Sequence, residues 1–240
     1  MVKFEEIDKE YLSDRKILSE KYGPRELWRV MDHWPLYCGI SNLARSIAIS
    51  DLLRSTLDVP GHVAEFGSWR GANVLFLAKL LRIFDPMGSK IVHCFESFEG
   101  LDKFSKEDKD EAKLEEGKYK GLYEELMDII TLYHLNDEIN IHKGRIEDTL
   151  PVVLKENEAL TFSFIYHDAD LYEPTKKVVE SLHERLSKGG LFVFDEWNYK
   201  IYPGEGLAVN EFLKNHSSQY EMQHVNHTRQ PSLVLKKIEF

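Results

Sequence analysis

The chain has 240 residues, of which 42% are hydrophobic, and this is enough for one large α/β domain with its own core. Its formal charge of −10, from 31 basic and 41 acidic residues, argues against a nucleic-acid binder with a basic patch. No apolar run reaches membrane-spanning length and the start, MVKFEEIDKE, does not resemble a signal peptide. We therefore expect a cytoplasmic protein with no membrane partner.

The first 58 residues are predicted to form an N-terminal helical cap, followed by one α/β unit over residues 59–240. Apolar residues recur at near-helical spacing between Asn42 and Leu57, and Pro60-Gly61 then breaks the chain. Cys94 lies in an apolar run, which favours a small core residue over a disulfide partner.

Predicted strands and helices alternate beyond this break. The predicted strands are 63–66, 91–95, 139–142, 160–166 and 191–194. The predicted helices are 73–84, 121–133, 173–186 and 208–213, and Gly189 or Gly190 is expected to end the third of them. The charged segment 99–125 is predicted to be a solvated helical insertion, and segments 221–225 and 232–237 to pair as an antiparallel edge hairpin. Such alternation predicts a doubly wound, mostly parallel sheet.

Acidic residues follow two of the predicted buried strands. Asp168 follows the run Phe164-Ile-Tyr-His, and Asp195-Glu196 follow Leu191-Phe-Val-Phe. Open α/β sheets bind their ligands at the carboxyl ends of parallel strands, so these carboxylates are expected to meet at one mouth. They suit a hard metal ion, an acid–base site, or both.

A glycine turn joins the first predicted strand to the first predicted helix, in the segment Glu65-Phe-Gly67-Ser-Trp-Arg-Gly71. It lacks the third glycine of the dinucleotide fingerprint, and Glu65 suits an amino group or a sulfonium better than a pyrophosphate. A tight turn without a ligand is an equal alternative. Glu96 ends the next strand, where an acid commonly binds a ribose diol; an exposed strand end is the alternative.

Five segments in this order resemble class I S-adenosylmethionine-dependent methyltransferases, and more closely the macrocin and mycinamicin sugar O-methyltransferase family. They are Glu65-Phe-Gly-Ser-Trp-Arg-Gly71-Ala, Glu96-Ser-Phe-Glu-Gly100-Leu, Gly144-Arg-Ile-Glu-Asp148-Thr-Leu-Pro151, Asp168-Ala-Asp170-Leu-Tyr172-Glu-Pro-Thr175 and Gly189-Gly190 through Asp195-Glu196. The resemblance implies a Rossmann-like methyltransferase with a seven-stranded sheet.

The resemblance also implies the residues that hold S-adenosylmethionine. Its methionine end would lie against Glu65, Gly67, Ser68 and Gly71, with Asp168 alongside. The ribose would bind Glu96 and Ser97, and the adenine would lie near Arg145, Ile146 and Glu147. Asp148 would either lie near the adenine or cap a helix.

Asp168, Asp195 and Glu196 match the acids that bind Mg²⁺, or another divalent cation, in that family, and Asp168 also matches its general base. Glu196 departs from the family, which usually has Asp there. His167 is expected to be structural, whereas Asp170 would share the strand face of Asp168 or cap the following helix.

The predicted function is a Mg²⁺-dependent O-methyltransferase acting on a sugar hydroxyl of a nucleotide-sugar or a glycosylated small molecule. Alternatives are methylation of a catechol-like phenol, a nucleotide-binding Rossmann oxidoreductase, and a non-catalytic binding module. A homodimer or higher homo-oligomer is expected. Trp197, Asn198 and Tyr199 would line the acceptor pocket and His33-Trp34 would cover it, or else these residues pack in the core. His224 and His227 would supply a base, or else lie on the surface.

Overall fold

A computed structural model of the chain describes Lys9 and residues 33–239. The strands are β1 (His62–Phe66), β2 (Val92–Glu96), β3 (Ile139–Lys143), β4 (Phe162–His167), β5 (Leu186–Phe194), β6 (Tyr220–Gln223) and β7 (Leu233–Lys237). The helices are α1 (Trp34–Tyr37), α2 (Ile40–Arg54), α3 (Ala72–Phe84), α4 (Asp110–Lys113), α5 (Tyr123–Leu132), α6 (Ile146–Glu156), α7 (Tyr172–Leu182) and α8 (Pro203–His216), with a 3₁₀ turn at Ser217–Gln219.

The seven strands form one sheet in the order β3-β2-β1-β4-β5-β7-β6. The first five are parallel, and β7 pairs antiparallel with both β5 and β6. The structure thus confirms the predicted mostly parallel sheet with an antiparallel C-terminal hairpin. The chain winds outward from β1 to β3, then returns to β4 beside β1, so a topological switch point lies between these two strands.

Both faces of the central strands are buried, as their continuous apolar runs predict. Alternate residues of β1 contribute to opposite layers: Phe66 packs in the cluster with α6, α7 and α8, and Val63 in the cluster with α2, α3 and α5. Cys94 is fully buried and free, which confirms its prediction as a core residue.

Two sequence predictions about local structure are wrong. Gly189 and Gly190 do not end a helix: α7 ends at Leu182, and both glycines lie inside β5. The β4–β5 register shifts beside them, and Gly189 has φ 85°, so the pair forms an irregular, bulge-like stretch. Glycine suits such a distortion because it tolerates positive φ and leaves room for the neighbouring backbone.

The charged segment 99–125 is largely solvent-exposed, as predicted, but little of it is helical. It contains the four-residue α4 and the first residues of α5, and Asp108 within it is buried. The Asp108 carboxylate accepts hydrogen bonds from the backbone N–H of Ser105 (2.8 Å) and of Tyr172 at the start of α7 (3.1 Å). One buried acid therefore ties the insertion to the carboxyl end of the sheet.

Most of the predicted N-terminal cap, residues 1–8 and 10–32, lies outside the described residues, and the division at residue 58 stays a prediction. The described part of the cap consists of α1 and α2. Of the helices that the structure describes, none is long and apolar enough to span a bilayer.

Candidate functional site

A cavity of about 560 Å³ opens at the carboxyl ends of the central strands. The backbone ladder continues one residue beyond three of these strands. Gly67 N–H donates to Phe95 O (3.0 Å), Asp168 N–H to Phe66 O (2.8 Å), and Asp195 N–H to His167 O (3.0 Å). The acids therefore emerge side by side. Except for Gly71, every predicted cofactor or metal residue lines this cavity: Glu65, Gly67, Ser68, Glu96, Ser97, Arg145, Ile146, Glu147, Asp168, Asp195 and Glu196.

The two glycines of the turn have different structural roles. Gly67 has φ 80°, and a Cβ at this position would lie 2.1 Å from the carbonyl oxygen of Asp168. This glycine therefore permits the close approach of the β1 and β4 ends. Gly71 caps α3 with φ 79°, and its Cβ would clash with the Leu126 side chain, 2.4 Å away. Gly71 thus serves packing against α5, and the structure does not place it at the cavity.

Glu65 and Asn73 line the cavity with incompletely satisfied polar atoms. Glu65 is 1% exposed, and within the described part of the chain neither its Oε2 nor Asn73 Nδ2 has a hydrogen bond of good geometry, although the Asn73 amide is near enough to lower the pKa of Glu65. Burial, and next the negative charge of Asp168, raise the pKa of Glu65 well above its usual range. Buried polar groups without a partner cost free energy. A ligand with a positive charge would pair with the Glu65 carboxylate, and a hydrogen-bond acceptor on the ligand would pair with the Asn73 amide.

Glu96 is 8% exposed, and its carboxylate receives hydrogen bonds from the glycine turn and from its own loop. The backbone N–H groups of Ser68 and Trp69 both donate to Oε2 at 2.8 Å, and that of Phe98 donates to Oε1 at 2.8 Å. A ribose hydroxyl bound here would share these oxygens with the backbone.

The predicted adenine end is organised by Arg145, which precedes α6. Its guanidinium donates to Glu147 (2.9 Å) and to Asp102 of the insertion. Ile146 is 7% exposed and offers an apolar wall. Asp148 does not cap this helix: α6 begins at Ile146, so Asp148 already lies in its first turn.

Arg45 of α2, which sequence reasoning missed, reaches the acids at the cavity mouth. Its Nη2 donates to Asp168 Oδ2 at 2.9 Å and to Asp195 Oδ1 at 3.1 Å. The same nitrogen lies 3.1 Å from the hydroxyl oxygen of Tyr166, which itself donates to Asp195. Tyr166 is two residues before Asp168, and residues at this spacing on a strand share one face of the sheet. The sequence therefore contained a signal that Tyr166 lies next to Asp168.

The remaining acids at the mouth have raised pKa values. Burial, and next the charge of Asp195, raise the pKa of Asp168 to about 7. The same two causes raise the pKa of Glu196 to about 8. Asp170, held at φ 62° beyond the end of β4, has its pKa raised by burial and by the charge of Asp168. Because a general base works best with a pKa near the operating pH, Asp168 is suited to accept a proton.

The three predicted metal ligands have the hard oxygen donors that Mg²⁺ prefers, but in this structure other side chains engage those oxygens. Arg45 holds Asp168 and Asp195, and Glu196 Oε1 accepts a hydrogen bond from Gln230. Among residues 33–239, no three acidic, histidine or cysteine side chains are grouped to hold a metal. A cation at these acids requires Arg45 to move.

A further acid, Glu205 of α8, lies behind Glu196 and was also missed. It is fully buried, and its Oε1 accepts the backbone N–H of Glu196 at 2.8 Å. Burial, and next the charge of Asp195, raise its pKa well above the usual range. Glu205 therefore orients the backbone at Glu196. It lies on α8, which is outside the acid motifs.

His167 is structural, as expected. It is fully buried, and its Nε2 lies 2.8 Å from Thr175 Oγ1 of α7. Since Thr175 donates its own hydroxyl to Leu171 O (2.6 Å), it accepts the proton of His167 Nε2. Burial lowers the pKa of His167 to about 3, so the ring is neutral.

A smaller cavity of about 310 Å³ adjoins the first beyond Asp195 and Glu196. Its lining includes Trp197, Asn198 and Tyr199, which were considered for the acceptor pocket, and His224, which was considered as a base. Trp197 is half-buried and donates to Asn210, whereas His224 and His227 are exposed, as expected for the surface alternative. His33 and Trp34 are exposed and line neither cavity.

Comparison with protein-family models matches residues 40–230 to the macrocin O-methyltransferase (TylF) family. The chain belongs to this family. Among curated relatives, mycinamicin III 3''-O-methyltransferase of Micromonospora griseorubida is 26% identical over 176 residues, which are 70% of this chain and 66% of that protein. A tetracenomycin rhamnosyl 4'-O-methyltransferase of Streptomyces olivaceus is 31% identical over 58% of this chain and 54% of its own length. The chain thus spans less than two thirds of the length of these relatives.

Solved structures of similar fold include CalS11, a calicheamicin methyltransferase, with a TM-score of 0.79 and 22% identity over 95% of this chain and 91% of that one. The O-methyltransferase NovP aligns with a TM-score of 0.69 and 21% identity over 85% and 84% of the two chains. At these identities the likeness establishes the shared Rossmann-like fold.

Proposed function

We propose that this protein is an S-adenosylmethionine-dependent O-methyltransferase that acts on a sugar hydroxyl. The observation that carries the proposal is the buried carboxylate of Glu65, whose Oε2 has no hydrogen bond of good geometry among the described residues and which shares one cavity with Asp168. A cationic cofactor fits the first acid, and a hydroxyl that must lose a proton fits the second. Family membership, and relatives named for methylating sugars, support the same activity.

In this proposal Glu65 and Asn73 bind the amino-acid end of the cofactor, Glu96 the ribose, and Arg145 to Glu147 the adenine. The cavity of about 560 Å³ is within the usual size range of small-molecule sites. When bound, the cofactor supplies a methyl group on a sulfonium. Asp168 would orient the acceptor hydroxyl, and its carboxylate would accept the hydroxyl proton.

The finer parts of the proposal are a nucleotide-sugar acceptor, an oligomeric enzyme and dependence on Mg²⁺ held by Asp168, Asp195 and Glu196. A bound divalent cation would lower the pKa of the acceptor hydroxyl and orient it. The donor chemistry supports this ion, although Arg45 lies on two of its three ligands.

Calorimetric titration with S-adenosylmethionine and with NAD tests the cofactor, and binding of NAD alone would refute the proposal. Turnover is then measured on a panel of nucleotide-sugars, glycosides and catechols, with and without EDTA. Asp168→Asn should lower kcat by at least about 100-fold, the usual contribution of a general base, while changing cofactor affinity little. Retention of full kcat in this variant would remove Asp168 as the base.

A further inference from the structure

The Arg45 guanidinium is the positive charge that lies between Asp168 and Asp195. It crosses from α2 to the ends of β4 and β5, and one nitrogen, Nη2, contacts both carboxylates, at 2.9 and 3.1 Å. Asp195 is 2% exposed, so its charge is almost completely removed from water. Two neighbouring carboxylates repel each other unless a cation compensates them, and arginine remains protonated at any ordinary pH.

The same two carboxylates are the centre of the proposed metal site. A divalent cation binds carboxylate oxygens at about 2.0–2.6 Å and would have to replace the guanidinium on those oxygens. The Arg45 side chain is 33% exposed, so part of it already faces solvent. Among the described residues, Arg45 also contacts the hydroxyl of Tyr166, at 3.1 Å from Nη2.

We propose that Arg45 and a divalent cation compete for Asp168 and Asp195, so that Arg45 is the resident cation of the metal-free site and leaves when a metal ion binds. This rests on the metal part of the proposed function. Metal affinity is then set by the acids together with the free energy needed to detach Arg45. The competition gives α2, an element outside the acid motifs, control over the occupancy of the site.

Calorimetric titration of Mn²⁺ into the full chain, with S-adenosylhomocysteine present, tests the competition. Arg45→Gln should bind Mn²⁺ about tenfold or more tighter than wild type, because the ion no longer displaces a charge-assisted hydrogen bond. Arg54→Gln is the matched control: Arg54 lies on the same helix with the same charge, but pairs with Asp51 at the surface. It should leave the Kd for Mn²⁺ within about twofold of wild type, the size of a weak surface effect.

Equal or weaker Mn²⁺ binding by Arg45→Gln would overturn the competition. A second measurement, on the wild-type protein, guards against misfolding of the variant. The ¹⁵N-labelled Nε–H of Arg45, which contacts Tyr166 at 3.3 Å, should shift on titration with Mg²⁺. An unchanged signal at saturating Mg²⁺ would also overturn it.

The S-adenosylhomocysteine titration separates the two proposals. Absence of binding by this compound would count against the methyltransferase proposal itself. Normal binding of the compound, with no metal bound by wild type or by Arg45→Gln, would overturn the competition and the metal requirement while leaving methyl transfer in place.

Discussion

Replacing Glu65 with glutamine should change stability and cofactor affinity in opposite directions. In the unliganded protein one oxygen of this buried carboxylate lacks a partner among the described residues. A buried polar group without a partner costs about 1–3 kcal/mol, more when it is charged. Glu65→Gln removes the charge and keeps the shape, so it should raise the free energy of unfolding by about 2 kcal/mol at pH 8. For a domain of this size, that corresponds to roughly 4–8 °C in Tm.

The pH dependence of this gain has a defined sign. The pKa of Glu65 is higher in the folded than in the unfolded state, owing to burial and the charge of Asp168. Folding therefore favours the protonated carboxyl, and wild-type stability falls as pH rises from the unfolded pKa, about 4.3, through the folded value. The Tm difference between Glu65→Gln and wild type should be small at pH 4 and should increase with pH.

Cofactor binding should respond in the other direction. Loss of one charge-assisted hydrogen bond should weaken S-adenosylmethionine binding roughly 10- to 150-fold. An equal loss for S-adenosylhomocysteine, which lacks the sulfonium charge, would assign Glu65 to the amino group; a loss confined to S-adenosylmethionine would assign it to the sulfonium. Calorimetry and thermal unfolding measure both effects, and Glu124→Gln, an exposed site on α5, is the charge-matched control. The reasoning would be refuted if Glu65→Gln were less stable than wild type and bound both compounds as tightly as wild type does.

Substitutions at three further positions test how the site is built. Gly67→Ala should lower the urea-derived free energy of unfolding by about 1–3 kcal/mol, because its Cβ would lie 2.1 Å from Asp168 O at a left-handed φ; an unchanged midpoint would contradict this. Glu205→Gln keeps an acceptor for Glu196 N–H and should melt at or above wild type at pH 8. Glu205→Ala removes that acceptor and should melt lower; equal melting of the two variants would contradict the role of Glu205. Asp108→Ala should speed tryptic cleavage within residues 99–120, while unchanged digestion would show that Asp108 does not hold the insertion.

Sequence periodicity predicted the sheet well because buried parallel strands have continuous apolar runs and their carboxyl ends necessarily share one edge. Asp168 and Asp195 meet for that reason alone. The glycines of β5 were misassigned because Gly-Gly after a helical pattern resembles a helix end. Whether such a pair ends a helix or forms a bulge depends on pairing with β4, a non-local property.

The insertion and Arg45 illustrate a second limit of sequence reasoning. Asp108 belongs to a run of mixed charge, and nothing local distinguishes a buried acid from solvated neighbours. Arg45 contacts Asp168 across 123 residues of chain, and that contact depends on how α2 docks on the sheet. Hydrophobic spacing places the apolar face of a helix but does not indicate which charged side chain on its flank will reach a site.

Charge at the cavity explains why this site is suited to cationic ligands. Nine acidic residues line it, against three arginines: Glu65, Glu96, Asp102, Glu115, Glu147, Asp168, Asp170, Asp195 and Glu196, with Arg45, Arg145 and Arg229. Arg145 is engaged by Asp102 and Glu147, and Arg45 by Asp168 and Asp195. Glu65, Asp170 and Glu196 keep raised pKa values because burial and neighbouring acids oppose their ionisation. A cationic ligand compensates these negative charges only in the folded state. Its binding should therefore raise the free energy of unfolding of the domain.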